Sequence, residues 1–239
     1  MGRKRPPFRI DDLLEAAKDV FVKQGFTKAK ISEIARLARL SAGTVYLYAE
    51  SKDALFEWTI RRALEDPGVM TIELPYPSPS RAELIERVGE RIGVVGTLPA
   101  LWLASEHSTV GDPALECETL FTEIWNWFAR YRSAVLLLRT SAADWPGLSG
   151  HFEREFEKET RRRLTRYLTM RGEAGALTAG SLPHLTAGFI LSSLAASALG
   201  LTTGGEIADR IPSGSDRKHA VNTILHGVIV VGGRSKEAL

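Results

Sequence analysis

Residues 31–52, ISEIARLARLSAGTVYLYAESK, leave room for little besides short helices joined by a tight turn. Ile31, Ile34, Ala35 and Ala38 recur at helical spacing and predict a helix over 31–38 with one apolar face. Arg39, Leu40 and Ser41 then allow a turn of three or four residues. Ser41 can cap a second helix at 42–48, and Ser51 a third over about 52–65 that ends before Asp66-Pro67-Gly68. Leu40 and Val45 are apolar where they can lock the first two helices together. An earlier helix is expected over 9–24, where Ile10, Leu13, Leu14, Ala17 and Phe21 share a face and Gly25 acts as a stop. Four short helices within about 65 residues make a compact head.

This is helix-turn-helix spacing, in which the second helix lies in the DNA major groove and is led by its first residues. Here those are Ser41, Ala42, Gly43 and Thr44. Glycine costs a helix up to about 1 kcal/mol, so Gly43 needs a reason, and close approach of the backbone to a phosphate or base supplies one. The helix start and the hydroxyls of Thr44, Tyr46 and Tyr48 can donate to phosphates, with Lys52 adding a charge. Leu47 is expected to point outward, within reach of a thymine methyl. The segment carries no Arg, Asn or Gln from 40 to 52, so base discrimination is expected from Leu47, from backbone approach at Gly43, from DNA shape and from the basic arm RKRPPFR at 3–9.

Charge supports a polyanionic partner. Residues 1–52 hold eleven Lys and Arg against six Asp and Glu, a net +5 in a chain whose total is +2. A basic head on a slightly acidic body is the footprint of a nucleic-acid binder.

The stretch GFTKAKISEIARLARLSAGTVYLYAESKDAL resembles the DNA-binding head of the TetR (tetracycline-repressor-like) family of transcriptional regulators. Gly25, Phe26, Ile34, Ala35, Ser41, Gly43, Thr44, Tyr46, Tyr48, Ser51, Lys52 and Leu55 follow the family pattern. Four positions depart from it: Arg39 stands where the turn usually has glycine, Ala42 where a polar residue follows the cap, Ala49 where phenylalanine is frequent, and Lys30 where Ser or Thr often caps the second helix. At Arg39 either a non-glycine residue takes the left-handed conformation or the turn differs. The resemblance implies an all-α fold, with a head at 1–66, a linker at 67–80 and a helical ligand-binding and dimerisation domain at 81–239.

The rest of the sequence reads as helical. LPYPSPS at 74–80 has three prolines in seven residues and predicts a stiff connector. Helices are expected at 81–97, from Pro99 to about Ser108, at 113–141 as one long element through the middle of the domain, and at about 148–171. The charged run EREFEKETRRR (153–163) reads as a solvated face rather than a nucleic-acid patch. Two further helices are expected at 182–201 and 217–231. No strand and no internal repeat is expected.

Trp102, Trp125, Trp127 and Trp145 lie in the body, and aromatic walls with a few polar groups describe a small-molecule pocket. Trp102, His107, Trp125, Phe128, Arg132 and His151 are the candidate ligand residues, in a cavity ringed by the helices at 99–108, 113–141 and 148–171. A small head touches few base pairs, so specificity calls for two heads about one DNA turn, ~34 Å, apart. The last two helices are the expected homodimer face, through Gly188, Ser192, Ala195 and Leu199 on one and Val221, Ile224, Leu225 and Val228 on the other, forming a four-helix bundle.

Several classes are set aside. The single Cys117 excludes an intramolecular disulfide and fits a reducing cytosol. No His pair has metal spacing, no Gly-rich phosphate loop appears, and no Ser/His/Asp grouping is evident, so neither cofactor, metal nor catalytic residue is expected. The longest apolar run, 17 residues from Leu185, falls short of the ~20 that a membrane span needs. The sequence therefore predicts a ligand-responsive transcriptional regulator, expected to be a repressor. It would bind double-stranded DNA at an inverted-repeat operator as a homodimer, be released by a small hydrophobic effector, and be cytoplasmic and nucleoid-associated. The rival is a helical ligand-binding or scaffolding dimer whose head, altered at Arg39, Ala42 and Ala49, no longer reads DNA.

Overall fold

The computed structural model describes residues 8–69, 72–107, 111–178, 182–201, 206–208, 210–227 and 230–231. The helices in chain order are α1 Phe8–Lys28, α2 Ile31–Leu37, α3 Ala42–Val45, α4 Lys52–Ala63, α5 Arg81–Val95, α6 Pro99–Glu106, α7 Pro113–Arg130, α8 Arg132–Thr140, α9 Pro146–Phe152, α10 Glu159–Glu173, α11 Pro183–Leu199 and α12 Gly214–Gly227. The only ladder among the described residues is a two-residue antiparallel pair, Leu177–Thr178 with Val230–Val231. The all-α expectation holds.

Contacts group the chain into two compact units, one from Met1–Val95 with Ser133–Glu153, the other from Gly96–Arg132 with Arg154–Leu239. The first unit is therefore larger than the head expected at 1–66, because α5, α8 and α9 pack with it. Its core follows local signals. Leu13, Leu14, Ala17 and Phe21 are buried along α1 as their spacing requires. Gly25 ends the first helical run of α1, as expected, with non-helical geometry at φ 75° and ψ 172°, and a second short run continues beyond this kink to Lys28. A Cβ at Gly25 would stand 2.8 Å from the carbonyl oxygen of Thr140, so both the backbone conformation and the neighbour call for glycine. Beyond the kink, Phe26 and Phe56 close on Trp145, with centroids 5.2 and 5.8 Å away, and Phe56 meets Phe21 edge-on at 5.2 Å. Burying each such ring stabilises by about 1.5–3 kcal/mol before ordering costs. The fully buried Glu57 of α4 is matched by Arg61 at 3.2 Å and Arg87 at 3.1 Å, which is the condition for keeping a carboxylate inside.

The expected single helix at 113–141 is two helices. The chain leaves helical geometry at Tyr131 (φ −97°, ψ 21°). α7 spends its apolar face, Cys117 to Phe128, in the second unit, whereas α8 buries Ala134 to Leu138 in the first. No glycine or proline marks the break, because the switch of partner imposes it. The expected helix at 148–171 is likewise divided. α9 gives way to a π-helical turn at Glu153–Lys158, which places Phe156 in the core of the second unit, 3.6 Å from Trp127 in a stacked pair. There α7 packs on α11 and α12, and α10 on α6 and α11. No helix among the described residues is long and apolar enough to cross a membrane.

Candidate nucleic-acid interface

The α2–α3 turn follows from its residues. Arg39 takes the left-handed conformation, φ 55°, where a glycine would be unstrained. The turn is closed by the Leu40 N–H donating to the Ala35 carbonyl at 2.8 Å. Lys30, at the start of α2, makes no side-chain cap. Ser41 does cap α3: its Oγ accepts from the Thr44 N–H at 3.1 Å and lies 2.7 Å from the Thr44 hydroxyl. Val45 is 1% exposed and anchors the helix from beneath. α3 is one turn, shorter than the expected 42–48. Residues 46–48 continue as turns, and Ala49 then pairs with Tyr76 in an isolated bridge.

A continuous surface results. Ser41, Ala42 and Gly43 are exposed and Thr44 is half-buried, while Tyr46 and Leu47 are 49% and 52% exposed. Arg36, Leu37 and Arg39 are exposed on the preceding helix and turn, and sequence reasoning had not placed them on this surface. Together they present hydroxyls, guanidinium groups and two exposed leucines, side chains of the kinds that can meet phosphates and base edges. A Cβ added to Gly43 would meet nothing nearer than Ser41 Oγ, at 3.9 Å, and its φ is not in the left-handed region. Nothing among the described residues requires glycine there.

Two expected members do not join this surface. Tyr48 is 2% exposed and belongs to the core of the head. The side chains of Tyr46 and Tyr48 leave a tight turn in different directions, and only the first reaches solvent. The Lys52 ammonium spends its donors inside the chain, on the carbonyls of Phe26 (2.8 Å), Thr27 (3.2 Å) and Ala29 (3.1 Å), and sits 4.5 Å from the centre of the Phe26 ring. It neutralises the carbonyl-rich end of α1, where a cation is favoured. Residues 3–7 of the basic arm lie outside the described residues.

The segment 74–80, expected as a connector, is a strap held against the end of the α3 region. The Tyr76 N–H donates to the Tyr48 carbonyl at 2.7 Å, and the Glu50 N–H to the Tyr76 carbonyl at 3.0 Å. The Ser78 N–H donates to Glu50 at 2.9 Å, and the Ser78 and Ser51 hydroxyls lie 2.7 Å apart. Tyr76 is itself buried, stacked on Trp58 at 5.3 Å, and its hydroxyl accepts from Arg61 at 2.9 Å. Burial and the nearby Glu57 carboxylate push its phenol up to about 12.

The candidate ligand residues do not converge. Trp125 is core and donates to Ser197 at 3.2 Å, and Phe128 packs edge-on against Trp127 and Phe156. Arg132 donates to the Leu199 carbonyl at 3.0 Å, and burial lowers its pKa. Trp102 is half exposed beneath Arg163. His151 lies in the first unit, its ring against Gly89. Only His107 lines the open cleft of about 450 Å³ formed by α6, the start of α7 and Arg171 of α10. The cleft thus lies among the expected helices but not among the expected residues.

The candidate dimer residues also divide. Leu199, Val221, Ile224 and Leu225 are buried within their own unit, because α12 packs on α7 and α11, and so do not offer a surface to a second chain. Ser192 is exposed, Gly188 and Ala195 are half-buried, and Val228 lies outside the described residues. The exposed apolar side chains of α11 and its cap are Leu182, Leu185 and Phe189. No cluster of three or more potential metal ligands occurs among the described residues.

Residues 13–58 match the model of the bacterial regulatory proteins of the tetR family. The HTH-type transcriptional regulator BetI 2 of Chromohalobacter salexigens is 30% identical over 116 residues, 46% of this chain and 56% of that protein. The HTH-type transcriptional repressor NicS of Pseudomonas putida is 27% identical over 130 residues, 54% of this chain and 46% of that protein. The chain thus spans about half the length of the curated relatives it matches. The ketosteroid transcriptional regulator KstR2 of Mycobacterium tuberculosis shares the fold, with a TM-score of 0.54 over 96% of this chain and 98% of that one at 16% identity. All three of these proteins are transcriptional regulators. Its helix-turn-helix head thus matches the tetR family of bacterial regulatory proteins over residues 13–58, and its all-helical fold is that of the regulator KstR2.

Proposed function

We propose that the chain is a repressor that binds an inverted-repeat operator as a homodimer and releases it when a small apolar effector occupies the second unit. The observation that carries the DNA-binding part is Gly43. It is exposed at the start of a helix that it weakens by up to about 1 kcal/mol, and no neighbour among the described residues needs it. A partner that comes closer than a Cβ would allow supplies the reason, and a phosphate or base edge in the major groove fits a surface made of Ser41, Ala42, Thr44, Tyr46 and Leu47 with Arg36 and Arg39 beside it.

Homodimerisation is supported by α11, where Leu182, Leu185 and Phe189 are 49%, 60% and 56% exposed, with Gly188 and Ser192 on the same helix allowing close approach. An open cleft of about 350 Å³ between Phe189 of α11 and His219 and Thr223 of α12 offers such a partner a seat. Two heads set one DNA turn apart read two half-sites, and an effector lowers affinity by favouring another spacing. The protein acts where the chromosome is, in the cytoplasm at the nucleoid.

Selection from random double-stranded DNA tests this reading. The expected product is an inverted repeat whose half-site centres lie about one turn, ~34 Å, apart. Enrichment of no site, or of a single half-site bound by a monomer, sinks it.

A further inference from the structure

We propose that the α6–α7–α10 cleft is the effector site and that it selects a neutral, mostly apolar molecule over a carboxylate of the same size. The inference deepens the effector part of the function proposed above and rests on it. The cleft, about 450 Å³, falls within the size range of small-ligand pockets. Its walls include Leu103 of α6 and Leu115 of α7, which are 53% and 61% exposed although both line a concavity. Apolar side chains kept wet around a hollow mark a surface that gains by being covered.

The floor decides the ligand's charge. Arg171 is 1% exposed and would be the natural partner for an incoming carboxylate. It is already committed: Nε and Nη2 donate to the two Glu116 oxygens at 2.8 Å each, and Nη1 donates to the His107 carbonyl at 3.0 Å. The Tyr167 hydroxyl donates to the same Glu116 carboxylate at 3.0 Å and lies 3.3 Å from the Cys117 sulfur. Drawing Arg171 towards an anionic ligand would strand Glu116 beside buried Tyr167, which low-dielectric surroundings penalise strongly. Thr119 also turns its hydroxyl inward, donating to the Leu115 carbonyl at 2.8 Å. The floor is thus self-neutralised, and the rim adds His107, which can meet one polar group of the ligand, and the exposed Asp112 carboxylate, which caps α7 and repels a second anion.

Calorimetric titration of the full chain with decanol, naphthol and decanoate tests this. Saturable binding of at least one neutral probe is expected, with decanoate at least about tenfold weaker than decanol. Leu103→Gln and Leu115→Gln, both at exposed positions, are each expected to weaken the neutral probe at least about tenfold. The proposal is overturned by binding of neither neutral probe, by equal or tighter binding of decanoate, or by binding indifferent to both substitutions. Site selection without any probe reports on DNA reading separately. A failed cleft with an intact operator sinks only this inference, and a bound probe with no operator sinks the repressor reading instead.

Discussion

Asp144 holds Thr27 twice: its carboxylate accepts from the Thr27 backbone N–H at 2.9 Å and from the Thr27 hydroxyl at 2.5 Å. The turn between α8 and α9 is thereby fastened just beyond the Gly25 kink of α1. Arg81 reinforces the joint, donating to the Asp144 carbonyl and lying 4.4 Å from the centre of the Trp145 ring. The two bonds from Thr27 hold the Asp144 carboxyl below its ordinary value. A folded pKa below the unfolded one means that the charged form is favoured by folding. The contribution is complete above the ordinary aspartate value and fades as pH falls through the lower, folded one. Asp144→Asn should therefore lower the Tm at neutral pH, and its gap from the parent protein should narrow only below about pH 4. Melting curves of both proteins across that range check it; a gap already closing near pH 6 would contradict the assignment.

Gly43 separates folding from function. Nothing among the described residues crowds the position, so Gly43→Ala should leave the head as stable or raise its stability by up to about 1 kcal/mol. The added methyl should nonetheless weaken specific DNA binding by about tenfold or more, if the backbone there approaches the duplex. Thermal melts and DNA titrations on one preparation decide the matter. Unchanged affinity would mean that the glycine serves no contact.

What the sequence discloses and what it hides differ in kind. Caps at Ser41 and Ser51, the buried stripe of α1 and the strained turn at Arg39 are local, since a few neighbours fix each of them. The surface at Ser41–Leu47 is legible for the same reason, apart from Tyr48, whose direction depends on how a four-residue helix ends. Periodicity tells that a residue is buried but not against what. Hence Val221, Ile224 and Leu225 read equally well as dimer face or as own core, and the structure gives them to the core. The break at Tyr131 was invisible because two partners, not a breaking residue, cause it. The role of Lys52 was hidden because its acceptors lie 23 to 26 residues earlier.

Lys52→Met tests that role. It removes three charge-assisted hydrogen bonds to the end of α1 and should cost about 1.5–3 kcal/mol of stability. The dependence of DNA affinity on salt should keep its slope. A lysine bound to phosphate would instead flatten that slope by about one unit of log K per log salt. Denaturant melts with binding at two salt concentrations distinguish a structural lysine from a DNA-contacting one.

The strap makes the sharpest demand on DNA reading, because it touches the recognition segment from behind. Glu50 joins it through both ends: its N–H reaches the Tyr76 carbonyl, and its carboxylate receives the Ser78 N–H. Glu50 itself is exposed, so Glu50→Ala leaves the Trp58–Tyr76 stack and the Arg61 contact in place and should cost no more than about 1 kcal/mol of stability. If the strap sets the pose of Tyr46 and Leu47, which precede the bridge at Ala49 by only a few residues, the selected operator should lose more affinity than random DNA of equal length. Phosphate attraction alone would move both together, and charge removal at Glu50 would raise both. The ratio of the two affinities is therefore the quantity to measure, with Glu50→Gln as the variant that removes the charge yet keeps an acceptor for Ser78. A ratio that falls in Glu50→Ala and recovers in Glu50→Gln identifies positioning; a ratio unchanged in both leaves the strap as packing only.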